Sequence, residues 1–316
     1  MKIVVLDGYT LNPGDLSWAM LETLGTLTVY ERSPSDTVAR RIEDAEIVFT
    51  NKTKINKEII DCSPKLKFIG VLATGFDVVD IAYAKEKDIV VTNVPGYGTD
   101  TVAQHTFALI LELANRVGNH DESVKQLRQG EQSDFCFWNY QIFELKGKTL
   151  GIIGYGRIGQ EVAKIANAFG MIILVYSEGE IAKEYNVQKV DLEDLLTHSD
   201  IITLHVPLTT DTENMIDEKA LGKMKSNAIL INTARGALIN ENDLFEVLKN
   251  KKIYGAAIDV MRQEPIDVTN PLLTLENCII TPHIAWAAKE ARKRLMDIAI
   301  DNLKSFLETG EAKNRI

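Results

Sequence analysis

Short apolar runs rich in β-branched residues recur through the first hundred positions, at 3–6, 28–30, 47–50, 68–72 and 89–92, with helical patterns between them. Such alternation predicts a parallel sheet with helices on its faces. The pattern breaks at Asn93-Val94-Pro95-Gly96-Tyr97-Gly98, where the Pro-Gly pair marks a domain boundary. Residues 101–115 then read as one helix with Val102, Thr106, Leu109, Ile110 and Leu113 on a face. A second strand series follows at 149–153, 172–176, 201–205, 228–232, 255–259 and 278–281. Six strands with helices between them predict a complete Rossmann sheet.

The first helix of that series repeats Ile158, Val162, Ile165, Ala166 and Phe169 and stops at Gly170. A later one opens on Asn240 as cap, with Asp243 near the positive helix end. The chain closes on a third, carrying Leu295, Ile298, Ala299, Leu303 and Phe306. Coming after the sixth strand, it is spare to the second sheet and is expected to pack on the first. The predicted domains are therefore 1–99 with 287–316, and 100–286 between them.

Composition narrows the function. A chain of 316 residues is long for one core and comfortable for two. A net charge of −10 with no basic run disfavours any role that relies on neutralising nucleic-acid phosphates. Cys62, Cys136 and Cys278 are far apart and odd in number, which indicates neither a disulfide framework nor a metal site. The first apolar run reaches Asp7 too soon for a secretory signal, and no stretch approaches membrane-spanning length. A reduced, soluble, cytoplasmic protein is expected.

Gly154-Tyr155-Gly156-Arg157-Ile158-Gly159 closes a predicted strand and opens a helix. The first glycine makes the turn, the second admits a pyrophosphate to the backbone, and the third lets helix pack on strand. Other strand ends of this sheet carry Ser177, His205, Thr233 to Arg235, Asp259 and His283, so polar and titratable groups collect where a cofactor lies. Arg235, between a buried strand and Gly236, is placed to grip a carboxylate bidentately, although a loop arginine is as readily a surface group. His283, after Pro282, offers an imidazole to take a hydroxyl proton. Alone it reads better as a hydrogen-bonded interface residue. Glu264, before Pro265, offers a carboxylate that favours imidazolium and fixes its tautomer.

Together, Thr233-Ala234-Arg235-Gly236, the stretch 259–265 and Thr281-Pro282-His283-Ile284, in that order after the glycine motif, resemble the D-isomer-specific 2-hydroxyacid dehydrogenase family. The likeness extends over essentially the whole chain, including 71–80 and Val94-Pro95-Gly96. It implies a catalytic set of Arg235, Glu264 and His283, and a Rossmann domain inserted into a smaller, discontinuous, flavodoxin-like α/β substrate domain. It also implies a cleft between domains, a dimer formed through the 101–115 helix, and the backbone of Thr74 and Gly75 at the substrate carboxylate. The cofactor would be lined by Gly154, Gly156, Arg157, Ile158, Gly159, Ser177, His205, Pro207, Thr233 and Ala234, with Asp259 near the nicotinamide carboxamide. His205 is the rival base, ranked as cofactor-lining for want of a carboxylate partner.

Gln104-His105-Thr106, Asp134-Phe135-Cys136-Phe137-Trp138 and Ala285-Trp286 look like the glycerate dehydrogenase and hydroxypyruvate reductase branch. Trp138 and Trp286 either wall the substrate pocket or pack at a seam. A phosphoglycerate dehydrogenase, or an NAD-binding corepressor-like interaction module, are the alternatives. One position departs from the dinucleotide pattern. Ser177 stands where an acid usually holds the adenosine ribose. With Glu178 and Glu180 following and no basic partner in sight, NAD is expected rather than NADP.

Overall fold

The computed structural model describes residues 1–127, 134–179, 181 and 185–316. They form two compact units, Met1–Gly98 with Trp286–Ile316, and Thr99–Ala285.

The first unit holds a five-stranded sheet of β1 (Lys2–Val5), β2 (Thr26–Val29), β3 (Ile47–Thr50), β4 (Phe68–Val71) and β5 (Val90–Thr92). Every pair is parallel, in the order β2-β1-β3-β4-β5. Side chains alternate between the faces, as the period of two requires. Val4, Val48, Ile69 and Val91 go to one core, Ile3, Val5, Phe49 and Phe68 to the other. Gly70 admits the Phe49 ring, since a Cβ there would lie 2.3 Å from it.

The second of these cores is completed by the Lys289–Thr309 helix, which buries Leu295, Met296, Ala299, Ile300 and Leu303 against it. Burying Leu295, Met296, Ile300 or Leu303 is worth about 1.5–3 kcal/mol each, and the smaller Ala299 less. Polar pins fix the helix rotation. Arg292 grips both oxygens of Asp15 at 2.7 Å and the Leu11 carbonyl at 2.9 Å. Asn302 Nδ2 donates to the Asn93 carbonyl at 2.9 Å, while its Oδ1 accepts from Asn314.

The second unit holds β6 (Thr149–Ile153), β7 (Ile172–Tyr176), β8 (Val187–Lys189), β9 (Ile201–Leu204), β10 (Ile229–Asn232), β11 (Gly255–Ile258) and β12 (Cys278–Ile280). The sheet is seven-stranded and parallel, in the order β12-β11-β10-β9-β6-β7-β8. The six-strand expectation falls short by β8. That strand is three residues long, pairs only with β7, and exposes Gln188 and Lys189, so it carries no apolar run or alternation to read. Strand order reverses between β6 and β9, which opens a crevice at their carboxyl ends. The Thr99–Asn115 helix covers one face beside the Arg157–Ala168 helix, burying Phe107, Ile110 and Leu113 with Ile152, Val162 and Ile231. No helix among the described residues is long and apolar enough to cross a membrane.

Candidate active site

At the carboxyl end of β6 the chain turns at Gly154 with φ +97°, its amide held by the Tyr176 carbonyl at 2.9 Å. A Cβ on Gly159 would stand 2.2 Å from the Gly154 carbonyl oxygen, so only glycine lets the helix approach the strand. A Cβ on Gly156 would meet nothing within 4 Å, leaving the backbone open to a ligand. Gly156 caps the Arg157–Ala168 helix without any side-chain hydrogen bond. Among the described residues no hydrogen bond from the first-turn amides of Arg157 and Ile158 to a protein oxygen is found, which leaves the positive helix end open. An exposed, glycine-lined helix end is what a dinucleotide pyrophosphate requires, and these residues fit it.

Across the crevice, the His205 amide donates to the Ile153 carbonyl at 2.7 Å. The imidazole Nε2 is buried with no partner among the described residues, and burial pushes the ring down to about 3. Burial thus favours the neutral ring. Pro207 follows, its carbonyl accepting from the Thr212 hydroxyl at 2.7 Å. At the end of β7, Ser177 is half-buried and Glu178 exposed, while Glu180 lies outside the described residues. The expectation of no basic partner there needs correction. β8, invisible in the sequence, brings the Lys189 ammonium to 2.8 Å from the Gly179 carbonyl.

After β10, the wholly buried Asn232 builds the arginine turn. Its Nδ2 donates to the Arg235 carbonyl at 2.8 Å, and its Oδ1 accepts from the Ala234 amide at 3.0 Å. The Thr233 hydroxyl lies 3.1 Å from that of Thr106, which itself donates to the Val102 carbonyl. Thr233 is therefore the donor, and the long helix anchors the turn. Arg235 Nη1 donates to the Ala234 carbonyl at 2.8 Å. Next to it, a Cβ on Gly236 would fall 2.0 Å from the Met261 carbonyl carbon. This close approach sets the arginine turn against the segment that leads to Glu264.

His283 stands at φ +54°, in the left-handed region that non-glycine residues rarely adopt. Its amide donates to the Asp259 carbonyl at 2.8 Å and its Nδ1 lies 2.7 Å from Glu264 Oε2. Glu264 Oε1 accepts from the Met261 amide at 3.1 Å. One carboxylate thus bridges its own loop and the imidazole. Asp259, 1% exposed, supports the same loop. Its Oδ1 accepts from the Thr281 hydroxyl at 2.5 Å and the Ile284 amide at 2.9 Å, its Oδ2 from the Ala285 amide at 2.8 Å. His105 Nε2 lies 3.2 Å from Thr281 Oγ1 and 3.5 Å from Asp259 Oδ1. Burial pushes the Asp259 carboxyl up, but hydrogen bonds from His105, Thr281 and the two amides outweigh it and hold it below the usual value. Both oxygens of Asp259 are thus engaged by the loop that presents His283.

In the first unit, Thr74 and Gly75 follow β4. The Thr74 hydroxyl donates to the Val94 carbonyl at 2.8 Å, and its carbonyl accepts from Asn93 Nδ2 at 2.7 Å. The amides of Thr74 and Gly75 have no partner among the described residues. Trp286 belongs to this unit and packs edge-on to Tyr97 at 6.3 Å, whereas Trp138 of the other unit is 66% exposed.

Four supporting residues escaped the sequence reading: Asn93, Asn232, His105 as a partner of Thr281, and Lys189. Asn232 left a faint signal, a lone amide ending an apolar strand.

A family model described as D-isomer specific 2-hydroxyacid dehydrogenase, NAD binding domain, matches residues 107–285. The chain belongs to this family. The enzyme is 50% identical over 313 residues, 98% of this chain and 97% of the other, to a hydroxypyruvate reductase of Blautia hydrogenotrophica. It is 43% identical over 279 residues to a glycerate dehydrogenase of Methylorubrum extorquens, covering 88% and 87%. Among solved structures it resembles the D-lactate dehydrogenase of Aquifex aeolicus complexed with NAD and lactic acid. There the TM-score is 0.82 at 32% identity, over 98% of this chain and 96% of that one. The dehydrogenase is an oxidoreductase using a nicotinamide dinucleotide, as its fold and glycine turn require.

Proposed function

We propose that the enzyme interconverts D-glycerate and hydroxypyruvate, with glyoxylate as a further substrate, using NAD. The carrying observation is the 2.7 Å pairing of His283 Nδ1 with Glu264, on a loop set against the arginine turn. The nicotinamide, when bound, supplies or accepts the hydride. Glu264 holds the proton on Nδ1, which assigns transfer to and from the substrate oxygen to Nε2. In reduction His283 donates that proton to the forming alkoxide and Glu264 balances the imidazolium charge. Arg235 takes the substrate carboxylate in a bidentate grip. In the first unit, Thr74 and Gly75 are the substrate-binding residues of this reading.

The relatives named hydroxypyruvate reductase and glycerate dehydrogenase support this substrate class. Glu178, exposed at the end of β7, supports NAD by repelling a 2′-phosphate. In this reading the cofactor is lined by Gly154, Gly156, Arg157, Ile158, Gly159, Ser177, His205, Pro207, Thr233 and Ala234, with Asp259 near the nicotinamide carboxamide while it also holds the His283 loop. Val117, Val124, Phe135, Trp138 and Ile142 are all exposed, an apolar surface that a second copy would cover, and the reading includes a cytoplasmic homodimer.

Steady-state oxidation of NADH and NADPH with hydroxypyruvate, glyoxylate, pyruvate and 3-phosphohydroxypyruvate tests the assignment. Highest kcat/KM is expected with hydroxypyruvate and NADH, and His283→Ala is expected to lower kcat by roughly 10²- to 10⁴-fold. Turnover of none of these acids, or a variant as fast as the parent, would overturn it.

A further inference from the structure

A cavity lies in the first unit, apart from the Thr74–Gly75 loop. In an open sheet of order β2-β1-β3-β4-β5 the connections leave β1 in opposite directions, and the crevice at the carboxyl ends of β1 and β3 is where such sheets take ligands. Here the crevice nest is filled from within. Asp7, just past β1, accepts from the amides of Asn51, Lys52 and Thr53 at 2.8, 2.5 and 2.9 Å. Outside that closed nest a cavity of about 550 Å³ remains, lined by the loops after β1, β2 and β3. This volume lies within the range of small-molecule sites. Thr74 and Gly75, beyond β4, take no part in its lining.

Arg32, Lys54, Thr10 and Ser35 give the cavity its chemistry, with Val38 and Ile59 as an apolar floor. Neither the Arg32 guanidinium nor the Lys54 ammonium meets a carboxylate among the described residues. That is notable on a chain of net charge −10. The Arg32 guanidinium carbon sits 4.2 Å over the Tyr9 ring centroid, a cation–π contact that limits how far the side chain can swing. The loop behind it is braced. Arg41, 4.0 Å over the Tyr30 ring, donates to the Arg32 carbonyl and to Ser33 Oγ, both at 2.5 Å. Lys52 lines the same cavity, and Asp7 is its lining acid.

We infer that this cavity binds a small phosphorylated metabolite, with its phosphate on Arg32, Lys54 and the hydroxyls of Thr10 and Ser35. The cations match a doubly charged phosphate, the hydroxyls donate to its remaining oxygens, and the floor takes the carbon body. The inference does not rest on the proposed substrate, because no lining residue belongs to the catalytic set.

The test is isothermal titration calorimetry of the full chain saturated with NADH, which keeps probes out of the dinucleotide site. Ribose 5-phosphate and inorganic pyrophosphate are the probes, with ribose and citrate as controls. Saturable binding of at least one phosphate probe is expected, weakened roughly tenfold or more in Arg32→Ala/Lys54→Ala. The double variant should keep the parent's thermal midpoint and its hydroxypyruvate turnover. Arg32→Lys/Lys54→Arg, which keeps both charges, should bind within a few fold of the parent. Failure of both phosphate probes to bind, equal binding by the parent and the alanine variant, or citrate binding as tightly as the phosphates would overturn the proposal. If hydroxypyruvate turnover fails in the parent while phosphate binding follows this pattern, only the substrate assignment falls.

Discussion

Replacing Asp259 with asparagine changes a single oxygen into an NH₂ group, yet it strikes the support of the whole His283 loop. With the amide oxygen at the Oδ1 position, the bonds from Thr281 at 2.5 Å and Ile284 at 2.9 Å survive but lose their charge assistance. The new NH₂ group then faces the Ala285 amide, 2.8 Å from the oxygen it replaces, donor against donor. Rotating the amide moves the conflict onto the Ile284 amide, since the Thr281 hydroxyl can turn to accept but a backbone N–H cannot. A hydrogen bond to a charged group contributes about 1.5–3 kcal/mol and a buried unsatisfied donor costs about 1–3 kcal/mol, so a loss of roughly 3–5 kcal/mol is expected. For a unit of this size that lowers Tm by about 6–20 °C. His283 rides on the same loop, through the bond from its amide to the Asp259 carbonyl, and a shift of an ångström costs on the order of 10²-fold in kcat.

Urea unfolding as a function of pH, with steady-state kinetics alongside, provides the assay. The folded-state pKa of Asp259 lies below its ordinary 3.8. Its stabilisation is therefore complete above that value and is lost as pH falls through the lowered one. The gap between parent and Asp259→Asn should stay constant from neutral pH to about 4 and narrow below. A gap under about 1 kcal/mol at neutral pH, with kcat/KM within twofold, would refute the claim that this carboxylate holds the loop.

Glu264→Gln should lower kcat by roughly 10- to 100-fold with little change in substrate KM, because it removes support from the imidazolium and not from the carboxylate grip; kinetics over pH check this. His205, pushed by burial to about 3, refuses a proton that the unfolded chain accepts below its ordinary 6.5. Stability should fall as pH drops from there, by up to about 1.4 kcal/mol per unit, and His205→Asn should flatten that limb in urea titrations without cofactor. Cys278, its thiol pushed up to about 12 by burial with Glu241 adding to it, should react with a thiol reagent only on unfolding, while exposed Cys62 reacts in the native enzyme. Phe135→Ser/Trp138→Ser should shift the enzyme toward monomer in sedimentation velocity, and an unchanged profile would remove that surface from the proposed dimer.

What the sequence by itself determined was local: the glycine turn, because Gly154 and Gly159 answer to backbone geometry within six residues, and the long strands, because β3, β4, β6, β9, β10 and β11 are buried at every or nearly every position and read as apolar runs. It also singled out Glu264 and His283, by the residues around them. Only the tertiary structure decided the supports. Asp259 has a structural part that only the fold shows, with the 281–285 loop folded back onto both its oxygens. His105 meets Thr281 across 176 positions of chain, and Lys189 reaches Gly179 from an edge strand with no apolar signature. Periodicity records which face a residue turns to the core; it carries no record of which distant backbone amide a buried side chain will satisfy.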